Sequence, residues 1–104
     1  INAIITLDQH DLYAIKRIID LDLEGLAKRI EELGFHFQIT EKAKEMVAKK
    51  GYDVQFGARP LRRAIQTYIE DSVCEMLLDG TMKPGDTISV GKNSKKEELT
   101  FKKL

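Results

Sequence analysis

The sequence predicts an α+β domain in which two or three helical elements pack on a small β-sheet that ends in a C-terminal hairpin. Helices are indicated by two long segments whose apolar residues recur at spacings of three or four. The sheet is indicated by short segments in which apolar and polar residues alternate. A chain of 104 residues, 42% of them hydrophobic, can bury one modest core. We therefore expect a single domain over residues 1–104.

The first helix is expected to begin after Asp8, whose side chain can accept hydrogen bonds from the free N–H groups of the first turn. Gly34 supplies the stop, because glycine is favoured just beyond the last helical turn. Seven apolar residues at helical spacing form the expected inward face: Leu12, Ile15, Ile19, Leu23, Leu26, Ile30 and Leu33.

A short half-buried strand is expected next, because Phe35, Phe37 and Ile39 alternate with polar residues. Thr40 can then cap a second helix. The residues predicted to point inward from this helix are Ala43, Met46 and Val47. Two lysines near the negative end of the helix, with Gly51 expected beyond it, complete a chemically sensible terminus.

A third helical segment is expected to start at Pro60, since proline fits the first helical position, where its missing N–H would have no intrahelical partner. Its broad apolar face is predicted to consist of Leu61, Ala64, Ile65, Tyr68, Ile69, Val73, Met76 and Leu77. Cys74 lies beside this face, and we expect it to be a buried structural cysteine.

The last part of the chain is predicted to form the hairpin. Residues 83–86, Lys-Pro-Gly-Asp, are typical of a type II turn. Ile88 and Val90 then alternate as a strand, residues 91–96 turn the chain back, and Leu99 and Phe101 supply the returning strand.

The composition excludes several classes of function. Seventeen basic and seventeen acidic side chains cancel, so there is no overall field to attract nucleic acid or an acidic membrane. No apolar run approaches the roughly 20 residues that cross a bilayer. One cysteine cannot form an internal disulfide, which favours the cytoplasm. His10 and His36 lie apart from other metal-ligand types, so we predict no metal site.

One motif points to chemistry. Residues 57–63, Gly-Ala-Arg-Pro-Leu-Arg-Arg, place three arginines around the start of the third helix, where the backbone dipole already presents partial positive charge. These charges repel one another unless an anion binds there. A phosphate group is the expected ligand.

The same region resembles the C-terminal small subdomain of Clp-type AAA+ unfoldases. The resemblance extends over nearly the whole chain and favours the ClpC-like branch. It is carried by Ile4-Ile5, Gly51-Tyr52-Asp53, Phe56-Gly57-Ala58-Arg59-Pro60-Leu61-Arg62-Arg63-Ala64-Ile65-Gln66, Ile69-Glu70-Asp71, Leu77-Leu78 and Lys83-Pro84-Gly85-Asp86.

The resemblance implies that ATP or ADP is the ligand, with magnesium held by a large subdomain outside this segment. It assigns Arg59 as the second sensor arginine, which contacts the γ-phosphate, within the matching motif of Gly57, Ala58 and Arg59. Gly57 would allow close approach of the backbone to nucleotide, although a tight turn explains it equally. Ile18 is the candidate for packing on adenine. It stands beside Ile19, and an ordinary core role is open for each.

The chain has no phosphate cradle of the type Gly, four residues, Gly-Lys-Ser/Thr, so we predict that it has no ATPase activity alone. The nearest segment, from Gly85 to Gly91, has one residue too many and ends Lys92-Asn93. We read the chain as a fragment of a hexameric ring ATPase. Its implied partners are the large subdomains of its own and neighbouring subunits and unfolded protein substrates. Whether the ring feeds a Clp peptidase or acts as a disaggregase is open.

The sequence is compatible with two other functions. Helices followed by a hairpin resemble a winged-helix order, in which Arg59, Arg62, Arg63 and hairpin-tip lysines such as Lys92 could touch nucleic-acid phosphates. The neutral net charge argues against this function. Alternatively, the domain only holds neighbouring subunits together, and Arg59 pairs with a carboxylate across that contact.

Overall fold

The computed structural model describes residues 9–52 and 57–104. In this part of the chain, helices pack on a three-stranded mixed sheet, which confirms the predicted α+β class. The elements in order are α1 (Gln9–Glu32), β1 (His36–Ile39), α2 (Glu41–Gly51), α3 (Leu61–Ile65), the π-helical segment π1 (Gln66–Glu70), α4 (Asp71–Leu78), β2 (Thr87–Lys92) and β3 (Leu99–Lys103). The predicted cap Asp8 lies outside the described residues.

The end of α1 follows from its sequence. Gly34 adopts a φ of 95°, a left-handed conformation in which glycine carries no Cβ penalty. The Gly34 N–H donates to the Glu31 carbonyl (2.9 Å) and the Phe35 N–H donates to the Ile30 carbonyl (3.1 Å), which together form a Schellman cap. The predicted stop is confirmed. Leu33, however, is 62% exposed, so its predicted place on the inward face is wrong, because the chain already leaves the helix there.

Helix α2 begins as predicted and ends differently. The Ala43 N–H donates to the Thr40 hydroxyl (3.2 Å), which confirms Thr40 as the N-cap. Gly51 does not lie beyond the helix; it is the last helical residue, and it is buried. A Cβ at Gly51 would lie 2.9 Å from the Leu61 Cα and 3.2 Å from the Ala64 Cβ. The glycine is therefore explained by close helix packing rather than by a cap.

The third helical segment, which we call the arginine helix, is continuous from residue 61 to residue 78 and contains π1. The Asp71 N–H donates to the Gln66 carbonyl, five residues back. Pro60 lies at the N-cap with φ −76° and ψ 1°, one position before the predicted one, because its ψ is not helical. Ala64 N–H donates to the Pro60 carbonyl (3.0 Å), so Pro60 still opens the helix.

The wide turn of π1 changes which residues face the core. The buried residues Leu61, Ile65, Ile69 and Val73 follow one another at steps of four. In a regular α-helix each such step rotates the side chain by about 40°, and the longer π turn compensates for this drift. Tyr68, which regular geometry would place inward, is 37% exposed, so its predicted core position is wrong.

Cys74 is also exposed, which corrects the prediction of a buried structural thiol. Val73 takes the inward position, with no exposed surface, and the next residue along a helix points about 100° away.

The sheet has the order β1-β2-β3, with β1 parallel and β3 antiparallel to β2. Gly85 has a φ of 89° and the Asp86 N–H donates to the Lys83 carbonyl (2.9 Å), which confirms the predicted type II turn. Ile88 and Val90 point to one face of β2 and are fully buried. The core to which they belong comprises Ile15, Ile19, Leu23, Leu26, Ile30, Ala43, Val47, Ala48, Leu61, Ala64, Ile65, Ile69, Val73, Ile88 and Val90.

Among the described residues, three ion pairs join α1 to α2, and a fourth, between Lys44 and Glu41, lies within α2. Lys16 lies 3.2 Å from Glu41 and 3.6 Å from Glu45, and Lys44 lies 2.7 Å from Asp20 and 3.3 Å from Glu41. The hydrogen bond from Lys16 lowers the pKa of Glu41. The hydrogen bond to Asp20 raises the pKa of Lys44.

Replacing Glu41 with glutamine is expected to reduce the acid sensitivity of the fold. Because the folded pKa of Glu41 lies below its ordinary value of 4.5, its contribution is present above that value and is lost as the pH falls through the folded pKa. About two thirds of the side chain is exposed, so the contribution stays below about 1 kcal/mol. The free energy of unfolding in urea, determined at pH 7 and at pH 3, measures this contribution.

The matched control is Glu24→Gln, because Glu24 is exposed on α1 and the described residues give it no ion-pair partner. The loss of stability between pH 7 and pH 3 should be smaller for Glu41→Gln than for the wild type or the control. Equal losses in all three chains would show that the ion pairs of Glu41 add nothing to the stability.

Candidate functional site

A cavity of about 410 Å³ opens between α1 and the start of the arginine helix. We call it the arginine cavity. Its lining residues are Ile18, Leu21 and Asp22 from α1, and Ala58, Arg59, Leu61, Arg62 and Ile65 from the turn and the first helical residues after it. The packing of these two elements therefore places an apolar wall, two guanidinium groups and one carboxylate around the same space.

The α1 wall is formed by the side of the helix that turns away from the core. Ile19 has no exposed surface, whereas Ile18 is 47% exposed and lines the arginine cavity. The two neighbours thus face different directions, as helical geometry requires, and the core role left open for Ile18 is wrong. Leu21, one turn further along, is 63% exposed and extends the apolar wall.

Arg59 lies in the turn that leads into the arginine helix. Gly57 opens this turn with a φ of 63°, and the Leu61 N–H donates to the Ala58 carbonyl (3.0 Å), which closes it. A Cβ at Gly57 would meet nothing within 4 Å, so the glycine is explained by its backbone conformation. The turn places Arg59, an exposed residue, and the half-buried Ala58 on the cavity lining.

Arg62 enters the cavity lining together with an acidic partner. Its Nη1 donates to the Asp22 Oδ1 at 3.0 Å. The Arg62 side chain is 87% exposed, whereas that of Asp22 is 21% exposed. Arg63 is exposed and does not line the cavity. Arg62 therefore lies at the surface and also lines the cavity, a position that the sequence alone did not indicate.

The lining suits a ligand with two different parts. The aliphatic side chains of Ile18 and Leu21 offer a surface on which an apolar ring can pack. The guanidinium groups of Arg59 and Arg62 offer planar sets of N–H donors, which match the oxygens of phosphates and carboxylates. The chemistry of the arginine cavity therefore favours an anion that carries a ring.

Other parts of the described chain offer weaker candidates for a functional site than the arginine cavity does. Lys92 in the hairpin lies 3.4 Å from Glu97 and donates to the Asn93 carbonyl (3.1 Å), so it is bound within the hairpin. In residues 9–52 and 57–104, no group of three or more His, Cys, Asp or Glu side chains could hold a metal ion. No helix of these segments has the length and apolar composition to cross a membrane.

Comparison with known proteins decides the family. Residues 11–90 match the family described as the C-terminal, D2-small domain of ClpB protein. The chain belongs to this family. The D2-small match includes Ile18 and the whole turn that carries Arg59.

Curated relatives of this D2-small domain have several names. The chaperone protein ClpB of Oceanobacillus iheyensis is 42% identical over 87 residues, which are 84% of this chain and 11% of that protein. The ATP-binding subunit ClpC of the ATP-dependent Clp protease of Staphylococcus epidermidis is 39% identical over 94 residues, 86% of this chain and 12% of that protein. The chloroplastic chaperone ClpD of Arabidopsis thaliana is 39% identical over 90 residues, 86% of this chain and 10% of that protein.

The chain therefore spans about a tenth of the length of the curated relatives it matches. The predicted kinship with the small subdomain of Clp-type AAA+ proteins is confirmed, and relatives named ClpC are among those found. The roles assigned to Gly57, Ala58, Arg59 and Ile18 stay predictions.

Proposed function

We propose that the chain is the nucleotide-sensing lid of an ATP-driven protein unfoldase. One observation carries the proposal: Ile18 and Arg59, which are far apart in the sequence, line the same cavity. An aliphatic side chain suits packing on an adenine ring, and a guanidinium suits a terminal phosphate. Membership of the D2-small family supports the proposal, because one relative is named the ATP-binding subunit of an ATP-dependent protease.

In this function the lid supplies part of the nucleotide site. Ile18 would pack on the adenine ring, and Arg59 would donate hydrogen bonds to the oxygens of the γ-phosphate. The turn of Gly57 and Ala58 would hold Arg59 at the edge of the site. The phosphate cradle and the magnesium ligands belong, in this proposal, to the large subdomains of the same or a neighbouring subunit.

In this proposal, loss of the γ-phosphate causes a movement of the whole domain. Ile18 belongs to α1 and Arg59 lies at the start of the arginine helix, and both helices contribute to one core through Ile19 and Leu61. A close-packed core does not deform continuously, so a change at Arg59 would rotate the whole domain rather than one side chain. In a hexameric ring, such rotations would pull on an unfolded protein substrate.

The remaining assignments belong to the same proposal. Residues 1–104 form one domain, its partners are large subdomains of its own and neighbouring subunits, and its location is the cytoplasm. A Clp peptidase is a further partner if the chain follows relatives such as ClpC rather than ClpB.

The test is whether Arg59 distinguishes ATP from ADP. In the full-length protein, Arg59→Ala should weaken binding of a slowly hydrolysed ATP analogue about tenfold more than binding of ADP, because one charge-assisted hydrogen bond to the γ-phosphate is lost. Arg63→Ala, which removes the same charge from outside the cavity lining, should change neither affinity by more than about twofold.

An equal change in both affinities, or none, would contradict γ-phosphate sensing. Light scattering on the same samples addresses the alternative in which Arg59 only joins subunits. That role predicts smaller assemblies at unchanged nucleotide discrimination.

A further inference from the structure

We propose that Arg62 is a second phosphate-binding arginine of the arginine cavity and that Asp22 holds it until a nucleotide binds. This inference rests on the proposed function, since it needs a nucleotide in the same cavity. It assigns Arg62 a role in phosphate binding and Asp22 a role in setting the affinity of the site.

The geometry places three charged groups around one cavity, with Asp22 on α1 and the two arginines on the facing element. Arg59 and Arg62 lie three residues apart around the first turn of the arginine helix, and both line the cavity with Asp22. Without Asp22 the two guanidinium groups would repel each other across the site. The Asp22 carboxylate, fixed on α1, offsets this repulsion through its 3.0 Å contact with Arg62.

The pair is asymmetric in a way that permits exchange. Arg62 is 87% exposed and contacts Asp22 through one nitrogen, so its long side chain keeps most of its freedom to move. The Asp22 side chain is short, belongs to α1 and is largely covered, so it has little freedom to move. Ion pairs as exposed as this one are held weakly. The Arg62 guanidinium can therefore leave Asp22 without disturbing the core.

A nucleotide polyphosphate is a stronger partner for Arg62 than Asp22 is. It carries more negative charge than one carboxylate and can accept two parallel N–H donors from the planar guanidinium. When Arg62 moves to the phosphate, Asp22 remains negative near the bound anion. Asp22 therefore lowers the affinity for the nucleotide in two ways, by competing for Arg62 and by repelling the phosphate. Both effects favour release of the product nucleotide.

The experiment measures ADP and adenosine affinities of the full-length protein carrying Arg62→Ala, Asp22→Asn or both substitutions, with Arg63→Ala as the control. Arg62→Ala should weaken ADP binding about fivefold and leave adenosine binding unchanged, because adenosine has no phosphate. Asp22→Asn should tighten ADP binding about threefold. In the Arg62→Ala background, the same Asp22→Asn change should alter ADP affinity by less than about twofold.

Weaker ADP binding by Asp22→Asn would overturn the inference, because the carboxylate would then assist the nucleotide. Unchanged ADP binding by Arg62→Ala would overturn it too. If Arg62→Ala is poorly folded by circular dichroism, Arg62→Gln replaces it and should weaken ADP binding by a similar factor, because it also removes the charged guanidinium. If Arg59→Ala changes nucleotide affinity but the Arg62 and Asp22 variants do not, this inference alone is refuted. If none of these variants changes nucleotide affinity, the proposed function is refuted as well.

Discussion

Replacing Arg59 with alanine is expected to lower ATP turnover of the full-length protein by about a hundredfold while the assembly stays intact. A guanidinium held against a developing phosphoryl charge acts in a site shielded from water, where its interaction is strong and needs no rearrangement. The turn around Arg59 is fixed by Gly57 and by the hydrogen bond that closes at Leu61, so the backbone from which the guanidinium extends is held in place before the reaction. Turnover at saturating ATP, with light scattering on the same samples, measures the effect.

Two variants make this result specific. Arg63→Ala removes an equal charge from the same helix but from outside the cavity lining, and its turnover should stay within about twofold of the wild type. Arg59→Lys keeps the charge but loses the planar set of donors, so it should recover only part of the rate. Unchanged turnover in Arg59→Ala would leave the lid mechanism without its central contact, and turnover lost together with assembly would make Arg59 an interface residue.

The fold could be predicted from the sequence wherever one local cause determines the structure. The spacing of Ile15 to Ile30 gave the inward face of α1, and Gly34 gave its end, because a left-handed cap requires glycine. Thr40 gave the start of α2, and the residues of the type II turn gave the start of the hairpin. Each of these signals acts within a few residues of the structure that it determines.

The errors arose where the structure depends on more distant parts of the chain. The π1 segment allows Ile69 and Val73, which are four residues apart, both to face the core. No residue type in Gln66–Glu70 indicates that a π-helical turn forms there. Tyr68 and Cys74 were therefore placed inward wrongly. The repeated step of four was the available signal, because a regular helix would need occasional steps of three.

In the candidate site, too, local signals could be predicted from the sequence, whereas features that depend on the packing of distant elements could not. The motif around Arg59 pointed to a phosphate, and the resemblance supplied Ile18, but the packing of α1 on the arginine helix was needed to put them in one cavity. Leu21 and Asp22 were missed, although they follow Ile18 by three and four residues and so share its face. Listing that face of α1 would have found both residues from the sequence.

Replacing Gly51 with alanine is expected to destabilise the domain by about 1–3 kcal/mol, because a new Cβ would overpack the contact of α2 with the arginine helix. The added atom would lie 2.6 Å from the Leu61 Cδ1 and 2.9 Å from the Leu61 Cα. The methyl group of Leu61 can rotate away, but its Cα belongs to the backbone of a buried residue. The start of the arginine helix must therefore move, and since Leu61 also lines the arginine cavity, nucleotide binding should weaken as well.

Gly25→Ala is the matched control, since Gly25 also lies in a helix but its added Cβ would meet only the flexible Arg29 side chain, at 3.6 Å. Alanine is the better helix former, so this variant should be more stable than the wild type by about 0.5–1 kcal/mol. Opposite signs for the two substitutions in urea unfolding would show that packing, not helix propensity, requires glycine at position 51. A Gly51→Ala chain as stable as the wild type would mean that α2 and the arginine helix can separate at little cost, and that the position of Arg59 does not depend on their close contact.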